Sequence, residues 1–199
     1  GVLHPRAVEF AKNYSMPLSV RSSLTEETGT ILLEEPTLEK NLIVRGVAFE
    51  PEIVRMTVAY KVPFNGSLAK IFTTLAKHHV NVDIIVQSIM EGIQPSVSFS
   101  IKKEDFAEAV QVLESNKADL GYQSMNYEVG LAKVSIVGSG MVSNPGVAAQ
   151  MFDRLRIEGI PVKMVSTSEI KVSVVVPESD MLKATNALHD EYGLTAVRV

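Results

Sequence analysis

Along residues 68–76 the apolar positions are Leu68, Ile71, Phe72, Leu75 and Ala76, the i, i+3, i+4, i+7 spacing of a single helix face. About 80 residues later the pattern returns at Ala148, Met151, Phe152 and Leu155. The match extends beyond the helix: Gly66 aligns with Gly146, Ala69 with Ala149, Val82 with Val162 and Ser88 with Ser168. A second helix follows in each copy, with Asp105, Ala109 and Leu113 answered by Asp180, Ala184 and Leu188. Between the helices lie strand-like runs: Val54–Tyr60, Val80–Ser88, Ser96–Ile101 and Tyr122–Val129, then Ala132–Gly138, Val162–Ser168 and Glu169–Val176. The order is βαββαβ, twice. A duplicated unit of this size is a small domain, and two like domains tend to share a contact surface.

The ends of the pattern do not repeat. Residues 1–38 predict a short helix with Ala7, Phe10, Ala11 and Tyr14 on one face, then strands at 17–23 and 31–33. A helix with two short strands cannot close a core, and the chain begins on glycine, so this piece reads as the tail of a larger domain. Pro36 opens a linker. Leu42–Phe49 reads as a strand that Glu50-Pro51-Glu52 turns into the next one. This strand is surplus to the first unit, and the second unit is one strand short after Thr195–Val199. The expectation is that 42–49 completes the second sheet, with the first unit inserted into the second.

Composition narrows the function. The 199 residues are 46% hydrophobic and 21% charged, ordinary for a globular protein. A net charge of -4 argues against a nucleic-acid binder, which would carry a basic face. No apolar run approaches a membrane span, so no membrane partner is expected and the cytoplasm is the default address. The absence of cysteine excludes thiolate metal sites and cysteine nucleophiles.

Candidate chemistry concentrates where each first strand meets its helix. Asn65-Gly66 and Asn144-Pro145-Gly146 place glycine at a helix entrance, where unpaired amides and the helix dipole favour a carboxylate. The simpler reading, a tight strand-to-helix turn, stays open. Asn81-Val82-Asp83 is expected beside that loop, with Asp83 able to neutralise an amine and Gln87 and Ser88 offering hydrogen bonds. A solvated strand-end charge is the plainer role for Asp83. Lys163 answers Asp83 in the second copy, so the two units are not expected to bind one ligand equally. Thr167, Ser168 and Glu169 could line the corresponding surface. Gly138-Ser139-Gly140 suggests a dinucleotide loop but lacks the third glycine and the acidic residue that such a site uses. His78 and His79 have no ligand partners at metal spacing. Nothing in the pattern reads as catalytic.

These units, with Val80-Asn-Val-Asp-Ile-Ile-Val-Gln87, Lys133–Ala149 and especially Val165-Ser-Thr-Ser-Glu-Ile-Lys-Val-Ser173, closely resemble the regulatory region of bacterial aspartokinases. Val2–Arg6, Val20–Ser23 and Gly29-Thr30 resemble the end of that family's kinase domain. The resemblance implies an α+β fold of two ferredoxin-like ACT domains packed together: 1–39 as kinase tail and linker, 53–129 as the first domain, and 42–49 with 130–199 as the second. It implies feedback regulation of aspartate phosphorylation by lysine, threonine or both. The effector would sit at a seam between ACT domains, often of two chains in a homodimer. The positions implied are Asn65, Gly66, Ser67, Leu68 and Ala69, then Val82, Asp83, Ile84, Gln87 and Ser88. The second repeat would add Asn144, Pro145, Gly146, Val147 and Ala148, with Thr167 and Ser168. ATP and Mg belong to the parent kinase, a kinase domain or catalytic subunit is the implied partner, and this fragment is expected to carry no cofactor. Many relatives have an acidic residue and a proline before the first glycine, where this chain has Phe64-Asn65, which leaves effector identity open. A ligand-free dimerisation module is the alternative.

Overall fold

The computed structural model describes residues 3–33, 42–61, 67–89, 94–138, 141, 144 and 146–194. Two compact units, Gly1–Leu42 and Ile43–Val199, divide the chain. In the first, α1 (Pro5–Asn13) is capped by His4, whose Nδ1 accepts the Arg6 N–H at 3.3 Å. β1 (Leu18–Val20) and β2 (Thr30–Leu32) pair antiparallel. Of the apolar stripe expected on α1, Ala11 is buried, whereas Phe10 and Tyr14 are exposed and stack on each other.

The second unit opens with β3 (Gly46–Ala59) and α2 (Ser67–Lys77), followed by the hairpin of β4 (Val82–Ser88) and β5 (Ser96–Lys102). Then come α3 (Phe106–Ser115), the single turn α4 (Lys117–Leu120) and β6 (Ser124–Val137). α5 (Val147–Ile157), the hairpin β7 (Met164–Thr167) and β8 (Lys171–Pro177), and α6 (Met181–Glu191) complete the order. All pairings are antiparallel, in the order β4-β5-β3-β6-β8-β7. No helix among the described residues is long and apolar enough to cross a membrane.

β3 and β6 are each 14 residues long and serve both repeats. Ile53–Ala59 pairs with β5 on one side and with the start of β6 on the other. Gly46–Glu50 pairs with Lys133–Val137, the part of β6 that also carries β8. Each repeat therefore has a four-stranded half-sheet, and each long strand belongs to both. The expected turn at Glu50-Pro51-Glu52 is instead a bulge within β3, and the expected break near Gly130 is its counterpart within β6. The register slips between Glu50 and Ile53 and again between Ile53 and Arg55, and the two residues with left-handed backbone there are Glu52 (φ 57°) and Gly130 (φ 71°). One extra residue in each strand cancels the other and bends the ribbon without breaking it.

The cores follow the helix faces. Ile71 and Leu75 of α2 and Ala109 and Leu113 of α3 pack on Val54, Met56, Val58 and Phe99. Met151 and Leu155 of α5 and Ala184 and Leu188 of α6 pack on Val134, Ile136, Val174 and Val176. Phe72 meets Phe99 edge-on at 5.5 Å, but its counterpart Phe152 is exposed, because Val174 replaces the ring it would meet. A third cluster, Ile53, Ile84, Leu131, Met164 and Val175, contains strand residues alone. It joins the helix-free faces of the two half-sheets, and β4 touches β7 there.

Candidate functional site

The sequence-predicted positions fall at two opposite ends of the half-sheets. In the second repeat, α5 begins after Gly146, whose φ of 112° is a left-handed value that side chains avoid. Gly146 brings no side chain to cap the first turn, and the Asn144 carbonyl accepts the Val147 N–H at a long 3.4 Å. Val147 is buried and Ala148 half-buried in the second core. Thr167 pairs with Val172 and is exposed. Ser168 closes the β7–β8 turn, donating both its N–H (2.7 Å) and its hydroxyl (3.2 Å) to the Lys171 carbonyl. Since Lys171 pairs with Val137, where β6 leaves for α5, Thr167 and Ser168 share an end of the half-sheet with the helix entrance. Pro145 lies outside the described residues.

In the first repeat, Asn65 and Gly66 lie outside the described residues, and Ser67 is the first residue of α2. Leu68 packs on the first core, and Ala69 is exposed. Ser88 pairs with Ser96, which pairs with Ala59, so Gln87 and Ser88 lie at the α2 entrance end. Val82 pairs with Ile101, which pairs with Val54, so Val82 and Asp83 lie at the other end. The expectation that Asp83 sits beside the helix entrance is therefore corrected. β4 begins where α2 ends, and an 11-residue helix separates the two ends by about 16 Å. Ile84 is buried in the cluster between the half-sheets, its N–H bonded to the Ser100 hydroxyl at 3.0 Å.

Asp83 is already paired. Lys133 Nζ of β6 reaches across to its carboxylate and also meets Glu50 at 2.7 Å. Burial alone would lower the Lys133 ammonium, but hydrogen bonds to Asp83 and Glu50 outweigh it and raise its pKa above the ordinary lysine value. A cavity of about 230 Å³ opens here, between Asn81, Ser100 and these three charges. The pseudo-symmetric place holds Arg55, Glu128 and Lys163: Arg55 meets Glu128 at 2.6 Å and Lys163 meets it at 2.9 Å. Arg55 also approaches the Lys163 carbonyl at 3.4 Å, beside a cavity of about 360 Å³ walled by Val86, Val162 and Met164. The two bridges occupy matching positions, Lys133 for Arg55, Glu50 for Glu128 and Asp83 for Lys163. Sequence reading missed Glu50, Arg55, Glu128 and Lys133. The signal was present as like charges at equivalent positions of the two copies.

A family model described as ACT domain matches residues 65–116 and 134–192. An aspartokinase of Bacillus sp. (strain MGA3) is 60% identical over 199 residues, all of this chain and 48% of that protein. Aspartokinase 2 of Bacillus subtilis (strain 168) is 57% identical, over 98% of this chain and 48% of that protein. The chain thus spans about half the length of the curated relatives it matches. Among solved structures, the aspartokinase alpha and beta subunits align with TM-score 0.69 and 36% identity over 75% of this chain and 98% of that one. The regulatory subunit of aspartate kinase from Thermus thermophilus, in its ligand-free form, aligns with TM-score 0.69 and 32% identity, again over 75% and 98%. With both βαββαβ repeats matched along nearly the whole of such subunits, the chain belongs to the ACT-domain family, in the tandem form of aspartokinase regulatory regions.

Proposed function

We propose that this chain is the feedback sensor of an aspartate kinase, binding lysine, threonine or both at seams between ACT domains. The observation that carries the reading is the tandem of βαββαβ repeats aligned over 98% of solved aspartokinase regulatory subunits. The first turn of α5, entered through a glycine that brings no capping side chain, suits an effector carboxylate, because the amides and dipole of a helix start favour an anion. Thr167 stands at the same end. In the first repeat the α2 entrance and Asp83 lie too far apart for one small amino acid within a single chain. A site using both draws one half from a second copy, which makes the homodimer part of the sensor. Regulation of an attached kinase domain or catalytic subunit then requires the effector to prefer one arrangement of the domains, since equal affinity shifts nothing.

Thermal unfolding with and without each amino acid tests the reading. Lysine or threonine at about 100 times its dissociation constant raises stability by about 2.7 kcal/mol. Unchanged unfolding with lysine, threonine and methionine would falsify it and favour the ligand-free dimerisation module. That second reading draws on one observation: Asp83 is already neutralised from within the chain.

A further inference from the structure

Lys133 belongs to the second repeat and Asp83 to the first, so their bridge crosses from one half-sheet to the other. The lysine side chain is 14% exposed, whereas Asp83 is 46% exposed, and both line the cavity. Glu50, on the long strand β3 that serves both repeats, holds the same ammonium at 2.7 Å. Losing Asp83 would therefore leave Lys133 with a carboxylate partner, avoiding the large penalty of a stranded, largely buried cation. The mirror bridge has no such freedom. Glu128 is engaged by two cations, Arg55 and Lys163, and among the described residues neither meets a second carboxylate. The two bridges thus differ in what an incoming ligand could do. A ligand ammonium arriving at Asp83 would face Lys133 as a like charge, and the two cannot both occupy that carboxylate without repulsion.

We propose that Lys133 couples the two repeats by competing with an effector ammonium for Asp83. With no effector bound, Lys133 ties β6 to β4. When the ammonium takes Asp83, Lys133 retreats to Glu50, and the tie between the half-sheets opens at that end while the Glu128 bridge stays closed. This is a two-state element that one ligand can bias, which a coupling mechanism requires. The inference rests on the effector reading above and assigns the residue that transmits it.

Calorimetric titration of lysine, and in turn threonine, into the 199-residue chain and its variants tests the proposal. Lys133→Met removes the competitor while leaving Asp83 and Glu50 in place, and the amino acid that binds the parent chain binds this variant about tenfold more tightly. Lys133→Gln, a second neutral variant that keeps a polar head, shows the same gain, and Lys133→Arg restores the parent affinity. Asp83→Asn weakens binding. A purely structural role for Lys133 predicts the reverse, because a loosened fold binds less well. Binding that is unchanged or weaker in both neutral variants overturns the coupling and leaves the sensor function standing. No binding to the parent chain or any variant overturns both.

Discussion

Tyr60 and Gly138 hold the same place in the two repeats. Each ends the first strand of its half-sheet and donates its N–H to the carbonyl preceding the third, Pro95 at 2.8 Å and Ile170 at 2.9 Å. Tyr60 is buried against the first core. At Gly138 a Cβ would lie 1.9 Å from the Ile43 carbonyl oxygen, because the strand that closes the second half-sheet passes there. In the first repeat the closing strand arrives from its own last helix, through α4 and Gly121 with φ 68°. In the second it arrives from the far side of the first repeat. The two repeats share the pairing while the route of the chain differs, and the glycine at 138 leaves room for the backbone to pass.

The strongest way to separate the repeats is through their cores. Phe99 and Val174 occupy equivalent positions on the third strands, both fully buried. Phe99→Ala is expected to cost about 3–5 kcal/mol. Val174→Ala should cost less, about 1.5–3 kcal/mol. Urea unfolding of both variants measures the gap, and equal losses would mean that the aromatic packing of the first core adds nothing.

Next comes the crossing point itself. Gly138→Ala forces a shift of backbone against backbone, and overpacking of this kind costs about 1–3 kcal/mol or more. Hydrogen exchange should accelerate in Gly46–Glu50 while Ser124–Val129, the closing strand of the other repeat, keeps its protection. Uniform acceleration across both would break the comparison.

The paired bulges offer a finer contrast. Gly130→Ala places a side chain at φ 71° in open space, so the backbone alone resists it, by roughly 1 kcal/mol. Glu52→Gly relieves the same strain at the equivalent position, and is expected to be neutral or to stabilise by up to about 1 kcal/mol. It gives up only an exposed bridge from Lys103 at 3.0 Å, a kind of contact that contributes little. Opposite signs in thermal unfolding support the pseudo-symmetry of the ribbon.

The smallest effect is alkaline. Tyr192 of the second repeat stands where the first repeat has Lys117, and donates its hydroxyl to the Val147 carbonyl at 2.7 Å. Burial, then the charge of Glu191, pushes its pKa up to about 12. The folded state holds this proton more tightly than the unfolded chain. Its contribution is therefore complete below the ordinary tyrosine value of 10.0 and is lost as pH rises from there toward about 12. Tyr192→Phe should flatten stability over that window, as followed by thermal unfolding and ultraviolet titration.

The helix faces were legible because a 3.6-residue period leaves little choice: Ile71, Leu75, Met151, Leu155, Ala109, Leu113, Ala184 and Leu188 are all buried. The bulges were not, since a turn and a bulge use the same chemistry. Glu50-Pro51-Glu52 carries a proline and a left-handed residue, and only the partner strand decides which it becomes. Asp83 was misplaced because closeness in sequence to α2 meant closeness to its last turn, not its first. The contacts of Lys133 with Asp83 and of Lys163 with Glu128 were invisible within one repeat, since each takes its partner from the other. Arg55 with Lys133, and Glu50 with Glu128, become visible only when the copies are laid over each other.

A ribosome makes Gly46–Glu50 long before it makes Lys133–Val137, the stretch those residues pair with. Until then the first half of β3 is an open edge awaiting its neighbour, and the second repeat cannot close from its own contiguous residues. The second repeat is thus sealed by a strand made before the first repeat, which binds the two repeats into a single act of folding.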